Sequence, residues 1–268
     1  MHEAVHALAG RLAPHARSER VRAGITFAPA LAREYAIAHA CLSRLGYPDG
    51  ELDAALAASL ASASVRSRER VPYRQLELEW LGTVWEPCAV AETDDAVAAR
   101  TTAATGLDAF SAAREDVYAF THSLVYLTDF GRRRDRLPRD REALLADAEA
   151  ALARSLDDDD FDVAGELLLA WPLLGVEWSP AAAFGWRVLA RVEDEVGYLP
   201  SLSLSEDRYR ELDGLARTRY TVGEAYHTVY VMGLLCAALY FAMSYPLARL
   251  ARRRDRRGRR ASWRVSTI

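Results

Sequence analysis

The densest set of chemically useful side chains lies in residues 121–131, Thr-His-Ser-Leu-Val-Tyr-Leu-Thr-Asp-Phe-Gly. His122, Tyr126 and Asp129 are spaced at i, i+4 and i+7, which predicts that they share one face of a helix. An unpaired buried polar group costs about 1–3 kcal/mol, so three of them need partners. The pattern fits a reactive stripe, with His122 as general acid or base, Asp129 as its partner and Tyr126 binding substrate. It also fits a hydrogen-bond network that fixes the core.

A second set of candidates is acidic. Residues 157–160 are four consecutive aspartates, and Asp162 and Glu166 follow at i, i+4 on an otherwise apolar segment. Asp160 is expected to cap that helix, because acids suit a helix N-terminus. The run also matches the aspartate-rich magnesium motifs of terpene cyclases, although the sequence contains no second such motif. We therefore expect Asp162 and Glu166 to act as a catalytic carboxylate pair opposite His122.

The third set consists of histidines. His39, His122 and His227 each precede a small residue and an apolar run, at spacings that suggest a helical repeat. This predicts that they converge on one cavity, where His227 is a second proton-transfer group and His39 binds substrate. A mononuclear metal site built from these histidines and a carboxylate is an alternative. The cofactor is left unknown, with a divalent metal as the open option.

The remaining substrate-binding candidates lie on helices of the same apolar kind. They are Glu34, Arg74, Glu77 and Tyr226. Arg74 and Glu77 are three residues apart, a spacing that also fits an ordinary helical ion pair. Glu224 and His227 form a Glu-x-x-His element like that of di-iron carboxylate bundles. Such a centre needs a second Glu-x-x-His element and two further glutamates, and the sequence has none at matching positions.

Helices must position these residues, because strand signals are almost absent. Apolar, aromatic helices are predicted at Ile25–Leu45, Tyr73–Trp85, Asp108–Phe130, Phe161–Leu174 and Tyr220–Met243. Amphipathic helices rich in Ala, Arg and Glu alternate with them at Glu51–Val65, Thr93–Thr105, Arg139–Ser155, Pro180–Glu195 and Glu206–Thr218. Alternating buried and half-exposed helices predict stacked hairpins. Five or six hairpins are expected to close into an all-α, α/α toroid.

Charge divides the chain into two regions. Residues 249–268 contain nine arginines and one aspartate, whereas acids outnumber arginines in the remainder. We predict a single toroidal domain over residues 1–248 and a disordered basic tail over 249–268, with contact to an anionic membrane surface as the alternative. The acidic body argues against nucleic-acid binding. The uncharged stretch Val229–Leu247 fits a buried helix better than a membrane span, because tyrosines interrupt it and Pro246 lies near its end.

Cysteine usage indicates the compartment. The three cysteines, Cys41, Cys88 and Cys236, are odd in number and lack Cys-x-x-Cys spacing. Their apolar surroundings predict buried thiols in a reducing environment. The first residues also lack the basic start and apolar run of a secretory signal. A cytoplasmic location is therefore expected.

The string at 121–131, together with Asp162-x-x-x-Glu166 and Tyr226-His227-Thr228, resembles a family of uncharacterised bacterial all-helical proteins found around natural-product gene clusters. The predicted ring is more remotely similar to the α/α toroids of lanthionine and terpene cyclases. The chain lacks the adjacent Cys-His pair of the lanthionine cyclase zinc site, so no zinc site is carried over. The resemblance implies a helical fold and a biosynthetic setting but no particular activity.

These observations predict an enzyme of specialised metabolism that performs acid/base chemistry on a small molecule or peptide, such as cyclisation, elimination or isomerisation. Its catalytic residues would be His122, Asp129, Asp162, Glu166 and His227. One alternative is a non-catalytic helical module that binds a peptide or protein partner. Another is a glycoside hydrolase, which needs two carboxylates facing each other across a sugar.

Overall fold

The computed structural model describes residues 2–66, 70–85, 95–108, 110–228, 230, 231 and 233. Within these ranges the regular structure is helical and contains no strand, which confirms the all-α class. The helices of the first part are α1 (His2–Ala16), α2 (Glu19–Phe27), α3 (Ala32–Arg44), α4 (Gly50–Leu60), α5 (Pro72–Trp85), α6 (Asp95–Ala98) and α7 (Thr102–Thr105). The helices that follow are α8 (Arg114–Leu127), α9 (Arg141–Asp157), α10 (Phe161–Leu168), α11 (Ala170–Leu174), α12 (Pro180–Val196), α13 (Glu206–Glu211) and α14 (residues 214–228).

The chain divides into two compact units, Met1–Thr105 and the residues from Gly106 onward. The first unit contains α1–α7 and the second contains α8–α14. Each unit has its own buried residues, and the site residues described below belong to the second. Closure of the hairpins into one toroid over residues 1–248 stays a prediction.

The first unit packs around α3. Ala32 and Ala36 on one part of this helix contact the buried Ile25 of α2 and Leu52 and Leu56 of α4. A second cluster joins Leu42 to Ala9 and Ala16 of α1. The small residues allow close helix approach, and the larger aliphatic side chains fill the space between the axes.

The core of the second unit is built on α10, in which every residue from Phe161 to Leu168 is buried. Asp160 begins this helix by accepting a hydrogen bond from the Val163 amide at 3.3 Å. Helix α9 packs on α10 and also crosses α12 at Gly185, where a Cβ atom would lie 3.0 Å from a methyl carbon of Leu152. This close crossing explains why a glycine occupies the middle of α12.

Helix α8 and the α10–α11 pair run side by side in the same direction. Contacts along them rise in register, from Arg114 with Asp160, through Thr121 with Glu166, to Gly131 beside Pro172. These two segments form two walls of the cavity described below, and residue numbers increase in the same direction along both.

Two predicted helices are interrupted at proline. The predicted helix Ile25–Leu45 is interrupted because α2 ends at Phe27, and a single 3₁₀ turn at Pro29–Leu31 precedes α3. Pro29 disfavours helical geometry at Ala28, whose φ is −126°. The predicted helix Phe161–Leu174 is likewise divided at Leu169, where Pro172 lacks the amide that would continue the hydrogen-bond ladder.

Predicted helices also differ from the structure elsewhere. The predicted helices Thr93–Thr105 and Glu206–Thr218 are interrupted at residues 99–101 and 212–213. The predicted helix Asp108–Phe130 begins only at Arg114. Helix α1 was not predicted at all.

Several predictions fall on other parts of the chain. The basic tail, Cys88, Cys236 and most of Val229–Leu247 lie outside the described residues. Across the part that is described, the structure has no helix with the length and hydropathy needed to cross a membrane. Cys41 is exposed on α3, so the prediction of a buried thiol is wrong there. Its apolar neighbours in sequence face the core, whereas Cys41 lies on the opposite side of the helix.

The crossing of α9 and α12 generates a stability prediction. Leu189 of α12 is fully buried, so Leu189→Ala should lower the free energy of unfolding by about 2–5 kcal/mol through lost burial and a residual cavity. Leu202→Ala is the matched control, because Leu202 is 57% exposed and its loss should cost less than about 0.5 kcal/mol. Urea unfolding followed by circular dichroism measures both. Equal losses in the two variants would contradict the packing described here.

Candidate functional site

Two carboxylates on the buried helix α10 form the centre of the site. Asp162 and Glu166 are one turn apart and are 9% and 5% exposed. The sequence predicted that they share a face of an apolar helix, and the structure places both there. Because isolated charges are very costly to bury, each carboxylate needs donors from neighbouring helices.

Helix α8 supplies the partners of Glu166. The Thr121 hydroxyl donates to Glu166 Oε2 at 2.5 Å, and His122 Nδ1 lies 3.4 Å from the same oxygen. The His122 ring stacks on Tyr118 with 3.9 Å between ring centroids. Tyr118, one turn earlier on α8, therefore fixes the orientation of the His122 ring next to Glu166.

Helix α14 supplies the partners of Asp162. His227 Nδ1 donates to Asp162 Oδ1 at 2.8 Å, and the buried Thr228 hydroxyl donates to the same oxygen at 3.1 Å. The other ring nitrogen of His227, Nε2, lies 3.7 Å from Glu166 Oε1. His227 thus lies between the two carboxylates.

Arg114, at the start of α8, completes the charge balance. Its Nε and Nη2 donate to the two carboxylate oxygens of Asp160 at 2.6 and 3.2 Å. Nη2 also donates to Asp162 Oδ2 at 3.3 Å. The guanidinium therefore connects the residue that caps α10 to the carboxylate that holds His227, and its pKa is raised by the hydrogen bond to Asp160.

The His227–Asp162 pair is biased toward its charged form. Burial acts to raise the pKa of Asp162, but the hydrogen bond and charge of His227, with Thr228 and Arg114, hold it below its ordinary value. The hydrogen bond to Asp162 raises the pKa of His227 above its ordinary value, against the opposing effect of burial. The structure therefore favours an imidazolium paired with a carboxylate.

His122 is oriented differently. Its Nδ1 lies 3.0 Å from the Tyr118 carbonyl oxygen, which can only accept, so Nδ1 carries the proton in this hydrogen bond. In the neutral ring the lone pair is then on Nε2. A histidine held in this tautomer by a carbonyl and a carboxylate has the arrangement of a general base.

Both histidines open into one cavity of about 1030 Å³. Apolar and aromatic side chains form most of its walls, and Thr121, His122, Glu166 and His227 supply the polar groups at one end. Asp162 is not among the lining residues and acts from behind His227. A largely apolar cavity with a few convergent polar groups is typical of a small-molecule site.

Tyr126 lines the cavity, and its ring centroid lies 6.2 Å from that of His122. Its role in binding substrate stays a prediction. Tyr226 is 64% exposed and packs edge-on against His227 at 6.3 Å. The structure places Tyr226 next to the site but does not make it a lining residue.

The predicted position of Asp129 is wrong. Helix α8 ends at Leu127, so Asp129 does not continue the helix face of His122. Asp129, Phe130 and Gly131 have φ values of 47°, 54° and 81°, which form a left-handed turn. Asp129 lies 3.8 Å from the Arg132 guanidinium, and Glu166 takes the place predicted for it beside His122.

Other predicted residues belong to the first unit. His39 is fully buried and is hydrogen-bonded to Asp53 at 2.7 Å and to Arg17 at 3.2 Å. Arg74 and Glu77 form an ion pair at 2.6 Å. The pKa of Glu34 is raised mainly by its burial and, to a smaller extent, by the negative charge of Glu77. These partners all lie within the first unit. Convergence of His39 with His122 and His227 on one cavity stays a prediction.

The four-aspartate run forms the turn between α9 and α10. Asp157 ends α9, Asp159 has a left-handed φ of 55°, and Asp160 caps α10. Over the described ranges, the structure contains no group of three or more potential metal ligands. Glu224 accepts a hydrogen bond from Ser203 at 2.7 Å. The four aspartates therefore form the turn between the two helices, and Asp160 caps α10 as the sequence predicted.

Sequence reasoning missed Thr121, Thr228 and Arg114 as functional residues. Each hydroxyl directly neighbours a predicted histidine, and a hydroxyl beside a histidine was the available signal. Arg114 lies 48 residues before Asp162, and no local pattern connects them.

The chain belongs to the family described as a domain of unknown function, DUF6895, whose profile matches residues 1–237. No curated protein and no solved structure matches the chain. The family membership agrees with the predicted resemblance to an uncharacterised helical family.

The arrangement at Asp162 predicts the titration of His227. Asp162→Asn keeps a side-chain oxygen for the Nδ1–H donor but removes the negative charge, so the pKa of His227 should fall. Histidine NMR titration of the wild type and the variant measures this shift. Asp129→Asn, the same change in the same unit, should leave His227 unchanged; an equal shift in both variants would contradict the pairing.

The same pair predicts how stability depends on pH. A histidine whose pKa is raised on folding contributes stability fully below its ordinary value of 6.5, and the contribution is lost as pH rises through the folded value. His227→Gln should therefore cost more free energy of unfolding at about pH 5.5 than at about pH 8.5, measured by urea unfolding. Leu202→Ala, which changes no titratable group, should cost the same at both pH values. A larger cost for His227→Gln at the higher pH would reverse the assigned sign.

Proposed function

We propose that the protein is an acid/base enzyme that transfers protons on a small, largely apolar molecule, in an isomerisation, elimination or cyclisation. One observation carries this proposal: two histidines, each paired with a carboxylate (His122 with Glu166, His227 with Asp162), open into the same largely apolar cavity. Specialised metabolism is the setting that the sequence motif suggests. The proposal requires no closed ring, because its residues all lie in the second unit.

The two histidines have complementary roles. His227, with its pKa raised by Asp162, is the general acid. His122, with Nδ1–H directed to the Tyr118 carbonyl, accepts a proton at Nε2. The two rings differ in what holds the Nδ1–H, a carboxylate for His227 and a backbone carbonyl for His122.

Glu166 couples the two histidines. Its Oε2 faces His122 and Thr121, and its Oε1 faces His227. When His122 gains a proton, the nearby carboxylate stabilises the new charge. Because His122 gains a proton while His227 loses one, the net charge of the cluster stays the same and Glu166 remains beside one imidazolium throughout.

A binding module is the second candidate, and the predominantly apolar walls favour it. Such a module would use the polar cluster only to fix the helices. The carboxylate pair does not support glycoside hydrolysis, because Asp162 and Glu166 project from one face of the same helix and Asp162 lies behind His227.

Solvent exchange tests the enzyme proposal without a known substrate. The wild type, His122→Gln and His227→Gln are incubated with a metabolite extract in D2O and compared by mass spectrometry. Proton transfer to carbon should add deuterium to a substrate or product with the wild type, and each variant should reduce the rate at least about 100-fold.

Asp129→Asn is the matched control, since it removes a charge near α8 but outside the cluster, and it should retain the wild-type rate. Melting curves of each variant establish that it is folded. Absence of any deuterated or altered compound, combined with retention of a bound compound by the wild type, would favour the binding module.

A further inference from the structure

The cavity has a second polar feature, Arg134, contributed by the segment after α8. Its Nε donates to the Leu173 carbonyl at 3.0 Å, and Nη2 donates to the Pro172 carbonyl at 3.3 Å. Both acceptors are neutral. Within the described ranges, the structure gives this guanidinium no carboxylate partner.

Gly175 makes room for the guanidinium, and a Cβ atom on Gly131 would lie at ordinary contact distance from it. A Cβ atom on Gly175 would lie 2.7 Å from Arg134 Nε and Cζ, and one on Gly131 would lie 3.6 Å from Nη2. Both glycines have left-handed φ values, 70° and 81°, which L side chains rarely adopt. The position of the guanidinium is therefore set by backbone carbonyls on α11 and by the absence of a side chain at Gly175.

Arg134 and the histidine cluster lie at opposite ends of the same walls. Along α8 and the turn after it, the lining residues run from His122 through Val125 to Gly131. Along α10–α11 they run from Glu166 through Leu169 to Leu173, whose carbonyl binds Arg134. Seven residues of helix rise about 10 Å, which approximates the separation of the two ends.

The other charges at this end do not neutralise Arg134. Arg132 also lines the cavity and lies 3.8 Å from Asp129. Glu177 is a lining residue as well, but it is exposed, so solvent screens its charge. A guanidinium has five N–H donors, and the two carbonyl bonds leave others for an anionic group.

We infer that the substrate is an elongated, mainly apolar anion whose carboxylate or phosphate group binds Arg134, while its opposite end meets His122, Glu166 and His227. This inference rests on the proposed acid/base function for the identity of the reacting end. The apolar part of the molecule lies along Val125, Leu169 and Leu173. Arg134 is then the residue that selects for charge and sets the register of the substrate.

Binding of three matched probes tests the inference. Octanoate, octyl phosphate and octanol share an apolar chain and differ in the head group. Titration calorimetry should show that the wild type binds at least one anion about tenfold or more tightly than octanol, as one charge-assisted contact predicts. Octanoate and octyl phosphate distinguish a carboxylate from a phosphate substrate. Equal affinity for octanol and both anions would overturn the inference, whatever the variants do.

Variants then assign the anion to Arg134. Arg134→Gln should weaken binding of the preferred anion by about 10- to 100-fold and change octanol binding less than about twofold. Arg134→Lys should retain part of the preference, because it keeps the charge and loses the planar fork. Unchanged anion binding by a folded Arg134→Gln protein would show that Arg134 only caps α11. If that variant does not fold, Arg134→Lys makes the assignment, because an unchanged preference for the anion over octanol in that variant would overturn the role of the planar fork.

The histidine variants separate this inference from the proposed function. His227→Gln should leave the affinity for the preferred anion within about twofold, because the head group lies at the other end of the cavity. A loss equal to that of Arg134→Gln would place the anion at the histidines and overturn the assignment. Suppose that anion binding depends on Arg134 but no extract shows deuterium exchange. That result would support the anion site and refute the proposed acid/base function.

Discussion

The second unit depends on the cost of placing two carboxylates on a fully buried helix. Removing one partner of a buried ion pair costs roughly 3–5 kcal/mol, because the remaining charge stays desolvated. Asp162 and Glu166 therefore need donors, and these come from three separate segments: the start of α8, the middle of α8 and the end of α14. Satisfying two carboxylates fixes the positions of these helices around α10.

The same need explains why the cluster is asymmetric. Asp162 has Arg114, Thr228 and His227 as partners and is hidden from the cavity. Glu166 has a neutral hydroxyl and two more distant histidines, and it faces the cavity. One carboxylate therefore acts as a fixed counter-charge, whereas the other lies beside the proposed reacting groups.

The first unit also contains a histidine–carboxylate pair, which differs from His227–Asp162 in the second partner of the ring. His39 Nε2 lies 2.7 Å from Asp53, and Arg17 Nε donates to its Nδ1 at 3.2 Å. His227 instead presents both nitrogens to carboxylates, Asp162 and Glu166. The second partner is therefore a cationic donor in one pair and an anionic acceptor in the other.

Sequence periodicity was sufficient to predict what lies within a helix and insufficient across its ends. The i, i+4 spacing of Asp162 and Glu166 correctly predicted a shared, buried face, because both residues lie inside α10. The i, i+7 spacing that joined His122 to Asp129 failed, because the chain leaves the helix at Leu127. Contacts between helices distant in sequence, such as Arg114 with Asp162, depend on packing that no local pattern contains.

The turn after α8 explains why Asp129 does not lie on the helix face of His122. The Thr128 hydroxyl donates to the Leu124 carbonyl at 2.7 Å and accepts from the Gly131 amide at 3.1 Å, so it closes the turn. Left-handed Asp129 and Phe130 are costly conformations that persist only when surrounding contacts impose them. The turn directs the chain to Gly131, beside Pro172 and the guanidinium of Arg134.

The segment 121–131 therefore has two different roles. Its first half places Thr121, His122 and Tyr126 at the cluster, and its second half ends the helix where Arg134 can reach α11. A polar motif that looks like one stripe in sequence is a set of cavity-lining residues followed by the turn that ends the helix. This division explains why Asp129 is part of the motif while Glu166, from another helix, is the partner of His122.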